Sequence, residues 1–253
     1  MIDILEDTPL YRYISFETFT DIVLSKSLSF VHPLKAWEDT YEGYIYRALQ
    51  NDTGIEKMSE IISELNTEQT VKEDFPQIVL EMSRNRFWCI CWSQEKDSVP
   101  LWSIYSYYNK AVMIKTVASD LLHKLNRQVS LCPVKYYDVL NLKAEIEKLF
   151  EFKHHPKDTL PFKPIDALLS KRKAFEHEKE IRCFYDASLL ETEYEKLPIA
   201  IPVSIKCHIS ELIHDVQVHP LAPDWYANTV KMFCDSYGIK FSGKSKLYDL
   251  VFD

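Results

Sequence analysis

The chain has 253 residues, of which 46% are hydrophobic and 27% charged, so it can bury a sizeable core as an ordinary globular protein does. Its net charge of −8 argues against binding nucleic acid through bulk electrostatics, although Lys171, Arg172 and Lys173 allow a local basic groove. No apolar run is long enough to span a bilayer, and the amino terminus lacks a signal-peptide pattern, so we expect a cytoplasmic protein without a membrane partner.

Apolar spacing and breaker residues predict the elements of the first half of the chain. Ser15 is a candidate N-cap for the first helix, and Ser98 is one for the helix that starts at Pro100. The region 50–83 is interpreted as a helical insertion. In chain order, the predictions are a strand over 10–14, a helix from 16, a strand over 28–31, a turn over 37–43, a helix over 55–82, a strand over 86–92 and a helix from 100.

The second half of the chain mixes strands and helices in the same irregular way. In chain order, it is predicted as a strand over 111–117, a short helix around 121, a strand over 129–137, helices over 140–150 and 165–175, strands over 181–185, 199–205 and 212–218, a helix over 223–237, and strands near 239 and 247. Because there is no steady β-α-β rhythm, the sequence favours an α+β fold over a doubly wound sheet. We expect one domain over 1–253, with a mixed, mostly antiparallel central sheet flanked by helices.

The four glycines, at positions 43, 54, 238 and 243, are too far apart to build a phosphate-binding loop. A Rossmann fingerprint or a P-loop needs several glycines close together so that the backbone can approach the phosphates. Both motifs are therefore excluded, and side chains would have to hold any nucleotide. Metal-ligand motifs are missing as well, since the sequence has no Cys-x-x-Cys pair and no His-Glu-x-x-His.

The run 175–185 is the most informative part of the sequence. It reads as a helix end that passes into a half-buried strand. Alternate side chains of a strand share a face, so Glu178, Glu180 and Arg182 line up opposite the apolar side chains of the other face. Carboxylates at this spacing repel, and proteins keep them where a cation, an acceptor group or general-base chemistry uses them. The alternative is a solvated charged face in which a glutamate pairs with Arg182.

Two further candidate site residues lie on predicted strands. Arg12 stands between two tyrosines, where a charged side chain either binds an anion or pairs with an acid, such as Glu178 or Glu180. Ser93 closes a strand, where its hydroxyl either orients a carboxylate or a ribose or simply ends the strand.

The aromatic residues suggest a lined cavity without locating it. The helix from 100 places Trp102 and Tyr105 on one face, as part of the core or as a stacking platform for a nicotinamide or a base. Asp39 and Glu42 lie among aromatic residues in the turn before the next helix, and Asp39 fits an N-cap there.

Taken in order, these segments resemble an uncharacterised bacterial and phage family, domain of unknown function twenty-nine seventy-one. The resemblance covers nearly the whole chain, but the sequence departs from the family's pattern in places. Ile104 stands where a histidine is common, Ala111 where a glycine is common, and Phe175 where a tryptophan is usual. The matching segments are 10–13, 33–42, 91–93, 101–105, 111–114, 175–182, 209–213 and 238–247.

That family resembles, more distantly, the ADP-ribosyltransferase fold, including toxin-like enzymes that modify nucleic acids. The resemblance implies that NAD is a substrate, that Glu180 stabilises an oxocarbenium-like transition state, and that Glu178 aligns or deprotonates the acceptor. The residues that it assigns to NAD binding are Arg12, Tyr13, Ser93 and, as walls of the nicotinamide pocket, Trp102 or Tyr105.

Three functions stay open at this level. The first is an NAD-using ADP-ribosyltransferase, a toxin or phage-defence effector whose acceptor is a nucleic acid or a protein and which an antitoxin-like partner neutralises. The second is a non-catalytic module that binds a nucleotide or a peptide on the same fold. The third is a metal-dependent nuclease with ligands from Asp39, Glu42, Glu178 and Glu180, although no Asp/Glu-x-Lys signature accompanies them.

Overall fold

The structure, a computed structural model, describes residues 6–64, 86–125, 129–138, 141–150, 164–187 and 198–250. The strands are β1 (Pro9–Ser15), β2 (Ser27–Phe30), β3 (Phe87–Ser93), β4 (Ala111–Val117), β5 (Val129–Pro133), β6 (Lys135–Tyr137), β7 (Ser170–Arg172), β8 (Glu180–Asp186), β9 (Val203–Lys206), β10 (Asp215–Val218) and β11 (Phe241–Lys244). The α-helices are α1 (Phe16–Ser25), α2 (Pro33–Ala36), α3 (Tyr44–Ala48), α4 (Asp52–Glu64), α5 (Val99–Tyr105), α6 (Ala118–Lys124), α7 (Leu142–Phe150), α8 (Ile209–Leu212) and α9 (Asp224–Ser236). Short 3₁₀ segments cover Tyr107–Asn109, Pro164–Leu168 and Lys173–Glu178.

A seven-stranded sheet forms the centre of the fold, in the order β11-β10-β4-β1-β3-β8-β5. β10 and β11 are parallel, whereas the other neighbouring pairs in this sheet are antiparallel. Two smaller ladders pair β2 with β9 and β6 with β7. The predicted α+β class, with a mostly antiparallel central sheet flanked by helices, is confirmed.

The central sheet opens between β1 and β3, and both strands lie wholly within the described residues. β1 pairs with β4 along its whole length, and β3 does the same with β8. Between β1 and β3, the ladder has a single pair, Tyr11 with Ser93. At the other end of the opening, Val31 takes the place beside β3: its N–H donates to the Cys89 carbonyl (3.0 Å), and the Cys89 N–H donates back (2.8 Å).

Apolar side chains of the main core cover one face of the sheet around this opening. α1 starts where the Ser15 hydroxyl accepts a hydrogen bond from the Thr18 N–H (3.1 Å), as the sequence predicts. Its buried side chains, Phe19, Ile22 and Val23, join the main core. The members of that core on β3 and β8 are Trp88, Ile90, Trp92, Ile181, Cys183 and Tyr185.

β8 differs from the half-buried strand that the sequence suggests. Its predicted alternation is confirmed, since Ile181, Cys183 and Tyr185 belong to the main core while Phe184 packs in a second cluster on the other side. The strand is buried on both faces, however, because the main core covers one face, while the second cluster and the ion partners of Glu180 and Arg182 cover the other. The solvated face of the alternative is therefore wrong, because Arg182 is fully buried, whereas its ion pair between a glutamate and Arg182 is confirmed for Glu180.

Five stretches of the second half depart from their predictions. The predicted helix over 165–175 is replaced by two 3₁₀ segments around β7, because residues 170–172 pair with β6. The predicted strand over 129–137 is divided into β5 and β6, which belong to different sheets. The strands expected over 199–205 and 212–218 are shorter, and the described residues around 247 form no strand.

The proposed helical insertion is described only in its first part. α4 confirms a helix there, and Gly54 lets it pack tightly on α3, because a Cβ at that position would lie 2.1 Å from the Ala48 carbonyl oxygen. The rest of the predicted helix, from 65 to 82, lies outside the described residues. In the part of the chain that the structure describes, no helix combines the length and the apolar character needed to cross a membrane.

Two leucines four positions apart test the assignment of the core beside the sheet opening. Leu28 on β2 has no exposed surface, whereas Leu24 on α1 is 57% exposed. We expect Leu28→Ala to lower the free energy of unfolding by about 2–5 kcal/mol, because it leaves a cavity in packed surroundings. The matched change Leu24→Ala should stay within about 0.5 kcal/mol of the parent in urea denaturation, and equal effects of the two changes would contradict the packing.

Candidate functional site

A cavity of about 780 Å³ lies where β1 and β3 part. Consecutive residues of both strands line it, over 11–15 and 89–93. Because consecutive strand residues point to opposite faces, the cavity passes between the strands and is not confined to one face of the sheet. The turn 36–42, the end of α5 and the segment 171–180 complete its wall.

Arg12 brings a cation to the β1 wall of this cavity. Among the described residues, it has no carboxylate within ion-pair distance and no side-chain hydrogen bond. Loss of hydration lowers the pKa of its guanidinium, which nevertheless stays charged at neutral pH. Of the two alternatives for Arg12, the ion pair with Glu178 or Glu180 does not form, since both glutamates pair with other cations.

The opposite wall contains an ion cluster centred on Lys171. Its Nζ lies 2.9 Å from an oxygen of Glu42, 2.5 Å from one of Glu178 and 2.9 Å from one of Glu180. β7 supplies the lysine, the turn before α3 supplies Glu42, and the end of a 3₁₀ segment and the start of β8 supply the other two. One ammonium therefore joins segments that are far apart in the sequence.

Arg182 is the second cation of this cluster. Its Nε donates to Glu180 Oε1 (2.9 Å) and its NH2 donates to Glu42 Oε1 (3.0 Å). It also donates to the Leu168 carbonyl, and its guanidinium carbon lies 3.8 Å from the centroid of the Trp37 ring. The cluster thus contains Glu42, Glu178 and Glu180 against Lys171 and Arg182, and its formal charge is 2 − 3 = −1.

The two late glutamates have different acidities. Burial opposes ionisation of Glu180, but Arg182 and Lys171 together outweigh it and lower the pKa to about 2. For Glu178, the loss of hydration is the largest effect and raises the pKa, although Lys171 offsets part of it. Glu180 is therefore a permanent anion at neutral pH, and Glu178 accepts a proton more readily.

Ser93 connects the two glutamates to the end of β3. Its hydroxyl donates to the Glu178 carbonyl (2.6 Å) and accepts from the Glu95 N–H (2.9 Å). The serine lines the cavity, but its hydrogen bonds hold the backbone on which the carboxylates stand. Its predicted contact with NAD stays a prediction.

The predicted aromatic residues divide into those that line the cavity and one that does not. Tyr13 and Tyr105 line it, and the Tyr13 hydroxyl fixes the loop after β3 by donating to the Glu95 carbonyl (3.2 Å). Trp102 is buried outside the cavity wall, with its ring edge-on to Tyr13 (4.8 Å) and to His219 (5.4 Å). The structure therefore brings Tyr105, and not Trp102, to the site.

Asp39 also lies at the cavity, in a role other than the predicted helix cap. Its Oδ1 accepts from the Tyr41 N–H (3.1 Å) within a turn, and α3 begins later, after Gly43. Its Oδ2 pairs with Arg172 Nε (3.0 Å), and the Arg172 guanidinium lies between the rings of Tyr41 and Phe175, at 5.0 and 5.5 Å. Asp39 thus ties the turn 36–42 to the segment that leads to β8.

Sequence reasoning named Arg182 as a partner of the late glutamates, but it missed Lys171 and Glu42. Lys171 was notable only as part of a basic triplet, and Glu42 only as an acid among aromatic residues. The sequence does not single out Lys171 within this triplet, because Arg172 and Lys173 follow it directly and the apolar spacing predicts a helix there. The contact with Glu42 has no local signal.

The described residues contain no group of three or more histidine, cysteine or acidic side chains that could hold a metal ion. The carboxylates of Glu42, Glu178 and Glu180 do converge, but they do so on the Lys171 ammonium. A divalent cation would have to displace that ammonium, so the arrangement does not favour the nuclease hypothesis.

No protein-family model matches the chain, and no curated protein sequence matches it significantly. Solved structures of DarT from Thermus sp. 2.9 align with 96% of this chain. The complex with NAD+ has 9% identity and a TM-score of 0.42 over 98% of that chain, and the complex with ADP-ribosylated ssDNA has 10% identity and a TM-score of 0.40 over 97%. At these values, the likeness carries no functional argument.

The ion cluster predicts a pH-dependent effect of Lys171→Met. Removing the ammonium leaves three adjacent carboxylates with one cation, which should cost about 3–5 kcal/mol of unfolding free energy at neutral pH. The lowered pKa of Glu180 means that its contribution is present above a pH of about 4.5 and is lost as the pH falls towards 2. The gap between the parent and the variant should therefore shrink in acid, as measured by urea denaturation across pH.

Lys173→Met is the matched control, since this exposed lysine lies two residues away and pairs only with exposed Asp138 among the described residues. It should change the unfolding free energy by less than about 0.5 kcal/mol at every pH. A loss in Lys171→Met that is small, or that does not vary with pH, would contradict the ion cluster.

Proposed function

We propose that this protein is an NAD-using ADP-ribosyltransferase-like enzyme. The observation that supports the proposal is the separation of charge in one cavity: an unpaired Arg12 guanidinium, among the described residues, on one wall and a cluster of net charge −1 on the other. NAD has the matching distribution, with an anionic pyrophosphate and a cationic nicotinamide end. Side chains then replace the glycine-rich loop that the sequence lacks.

The cavity also has the size and lining that a dinucleotide needs. Its volume of about 780 Å³ lies within the range of roughly 300–1,000 Å³ for small-molecule sites. Trp37, Tyr105 and Phe175 supply aromatic surface on its wall. Planar rings of this kind offer stacking surface to an adenine or a nicotinamide.

In this proposal, NAD supplies a glycosidic bond whose cleavage releases neutral nicotinamide while positive charge develops on the ribose. Glu180 provides permanent negative charge there, because Arg182 and Lys171 keep its carboxyl ionised and fixed in position. Ser93 holds the backbone that carries it. Arg12 binds the pyrophosphate by charge-assisted hydrogen bonds.

Glu178 is suited to the acceptor. Its pKa is raised by burial, and its carboxyl is more exposed than that of Glu180. The ribose–nicotinamide bond breaks, a bond from the ribose to the acceptor forms, and Glu178 takes the proton that the acceptor loses. A nucleic acid or a protein as acceptor, the toxin or phage-defence setting and a neutralising partner stay expectations from the family resemblance.

One observation favours a second candidate, a non-catalytic binding module. Both oxygens of Glu180 already accept hydrogen bonds, Oε1 from Arg182 and Oε2 from Lys171. A carboxylate so engaged has less free charge to offer a substrate, and the cavity would then bind a nucleotide without cleaving it. The two candidates differ in whether nicotinamide is released.

Release of nicotinamide from NAD by the purified protein is the deciding experiment. Glu180→Gln keeps the shape of the side chain but removes its charge, so release should fall by about 10²–10³-fold or more. Since the change also leaves Arg182 and Lys171 with fewer partners, circular dichroism and NAD binding must first establish that the variant is folded. Binding of NAD by the parent without any release would favour the binding module and contradict the transferase.

Arg12→Met separates binding from stability. An unpaired charge that is removed from water destabilises a fold, so this change should leave the unfolding free energy unchanged or higher. It should also weaken NAD binding by about 10–100-fold, since hydrogen bonds to charged groups contribute roughly 1.5–3 kcal/mol.

Arg86→Met is its control and should show the opposite behaviour. Arg86 donates three hydrogen bonds to Asp186, two from Nε (2.9 and 3.0 Å) and one from NH2 (2.6 Å), and it does not line the cavity. Its loss should lower the free energy of unfolding and leave the affinity for NAD, as measured by titration calorimetry, unchanged. An Arg12→Met protein that unfolds more easily and binds NAD like the parent would remove the support for the proposal.

A further inference from the structure

An unusual set of exposed aromatic side chains follows directly on α5. Tyr107 is 80% exposed and Tyr108 is 70% exposed, and their ring centroids lie 4.2 Å apart. Trp225, at the start of α9, is 58% exposed. We call these three residues, together with Ile104 and Tyr105, the aromatic strip. Large aromatic surfaces grouped in this way mark interaction sites, because leaving them in water is unfavourable.

The strip is continuous with the cavity. Ile104 and Tyr105, which also are exposed, line the cavity at one end of the strip. Trp225 is attached at the other end, since Lys110 Nζ lies 4.9 Å from the centroid of its ring. A molecule that lies on the strip therefore has one end at the site where Arg12 and Glu180 are placed.

The backbone of the strip is held in a conformation that turns the rings outwards. Tyr108 and Asn109 have φ values of 51° and 60°, in the left-handed region that side chains with a Cβ disfavour. The Tyr226 hydroxyl donates to the Lys110 carbonyl (2.7 Å), and the Ala111 N–H donates to Ser106 Oγ (3.2 Å). Strain of this kind persists where the surrounding structure fixes it, and it is typical of binding sites.

The chemistry of the strip fits unpaired bases. Tyrosine and tryptophan rings stack on bases of any sequence. The Tyr107 and Tyr108 rings are largely exposed, whereas Lys110 lies over one face of Trp225. Asn109 and Lys110 add an amide and a cation for base edges and a phosphate. Residues 104–110 contain no carboxylate. Of the acids nearby, Asp224 is paired with Lys244 (2.6 Å), and Glu17 lies close enough to Lys110 to interact with its charge.

We propose that the aromatic strip docks a single-stranded nucleic acid and presents one of its bases to the cavity as the acceptor. The acceptor role rests on the proposed transferase function, whereas the docking does not. Because paired bases cannot stack on protein rings, a duplex should bind much more weakly. Because the chain has a net charge of −8 and the strip has one lysine, stacking and not bulk electrostatics provides the affinity.

The test is fluorescence anisotropy with labelled oligothymidylate and oligouridylate, in the absence of NAD. Replacing both Tyr107 and Tyr108 with Ala should weaken binding by at least about tenfold, whereas replacing both with Phe should not, since the rings remain. The slope of log affinity against log salt should be small, about −0.7 to −1.4, as expected for one or two neutralised phosphates. Tyr237→Ala is the control, because this tyrosine lies at the other end of α9, about 18 Å from Trp225 along the helix axis.

Several outcomes would overturn the docking proposal. They are unchanged binding by the Tyr107→Ala/Tyr108→Ala protein, equal binding of a duplex, or no binding of either oligonucleotide up to about 100 μM, the weak end of non-specific binding. The last result would leave the strip to a protein or peptide partner. Without nucleic acid, the same variant should cleave NAD with water as the acceptor at the parent's rate. Loss of NAD cleavage would therefore count against the proposed function, and loss of oligonucleotide binding reports on docking alone.

Discussion

β1 and β3 separate after a single pair, Tyr11 with Ser93. This separation creates the cavity and so determines where the charged and aromatic side chains of the site can lie. Each strand keeps its other neighbour, so the two halves of the sheet stay intact while the edges between them lose their partners. Cys89 directs its N–H and C=O to Val31, and alternate residues of an antiparallel strand point the same way. Cys91 therefore directs its own backbone groups into the cavity, where a ligand or water must satisfy them.

Electrostatics explains why the cavity is more than a packing defect. A buried cluster of five charges is weak evidence for stability, because the cost of removing charges from water rivals their attraction, and apolar residues of the same size would often do as well. The surplus is one carboxylate on the Glu180 side and one guanidinium at Arg12, each placed where it cannot neutralise the other. Such a separation of charge is complementary to a molecule with the opposite arrangement, as the proposed function requires.

Local sequence patterns were sufficient for the strands that build the cavity. The bounds of β4 match the prediction at both ends, and the positions of Arg12, Ser93 and Glu180 could be assigned to strands because alternation and capping are local signals. The cation that organises the acids could not, because Lys171 meets Glu42 across more than a hundred positions of sequence. The apolar spacing over 165–175 was misleading for the same reason: pairing with β6, and not helical periodicity, decides its conformation. Trp102 has the spacing of a ligand platform but packs behind Tyr13.

The scarcity of glycine gives these observations a common cause. A glycine-rich loop binds phosphates through backbone N–H groups and needs no charged side chain in a protected place. Without one, a chain that binds a dinucleotide needs a charged side chain at the site, and loss of hydration disfavours the charged form of Arg12 there. An anion that binds Arg12 compensates for this lost hydration, but the carboxylates on the opposite wall do not attract it. Under the proposed function, a ligand that also has a cationic end gains at both walls, so we expect the cavity to select ligands by the distribution of their charge and not only by its sign.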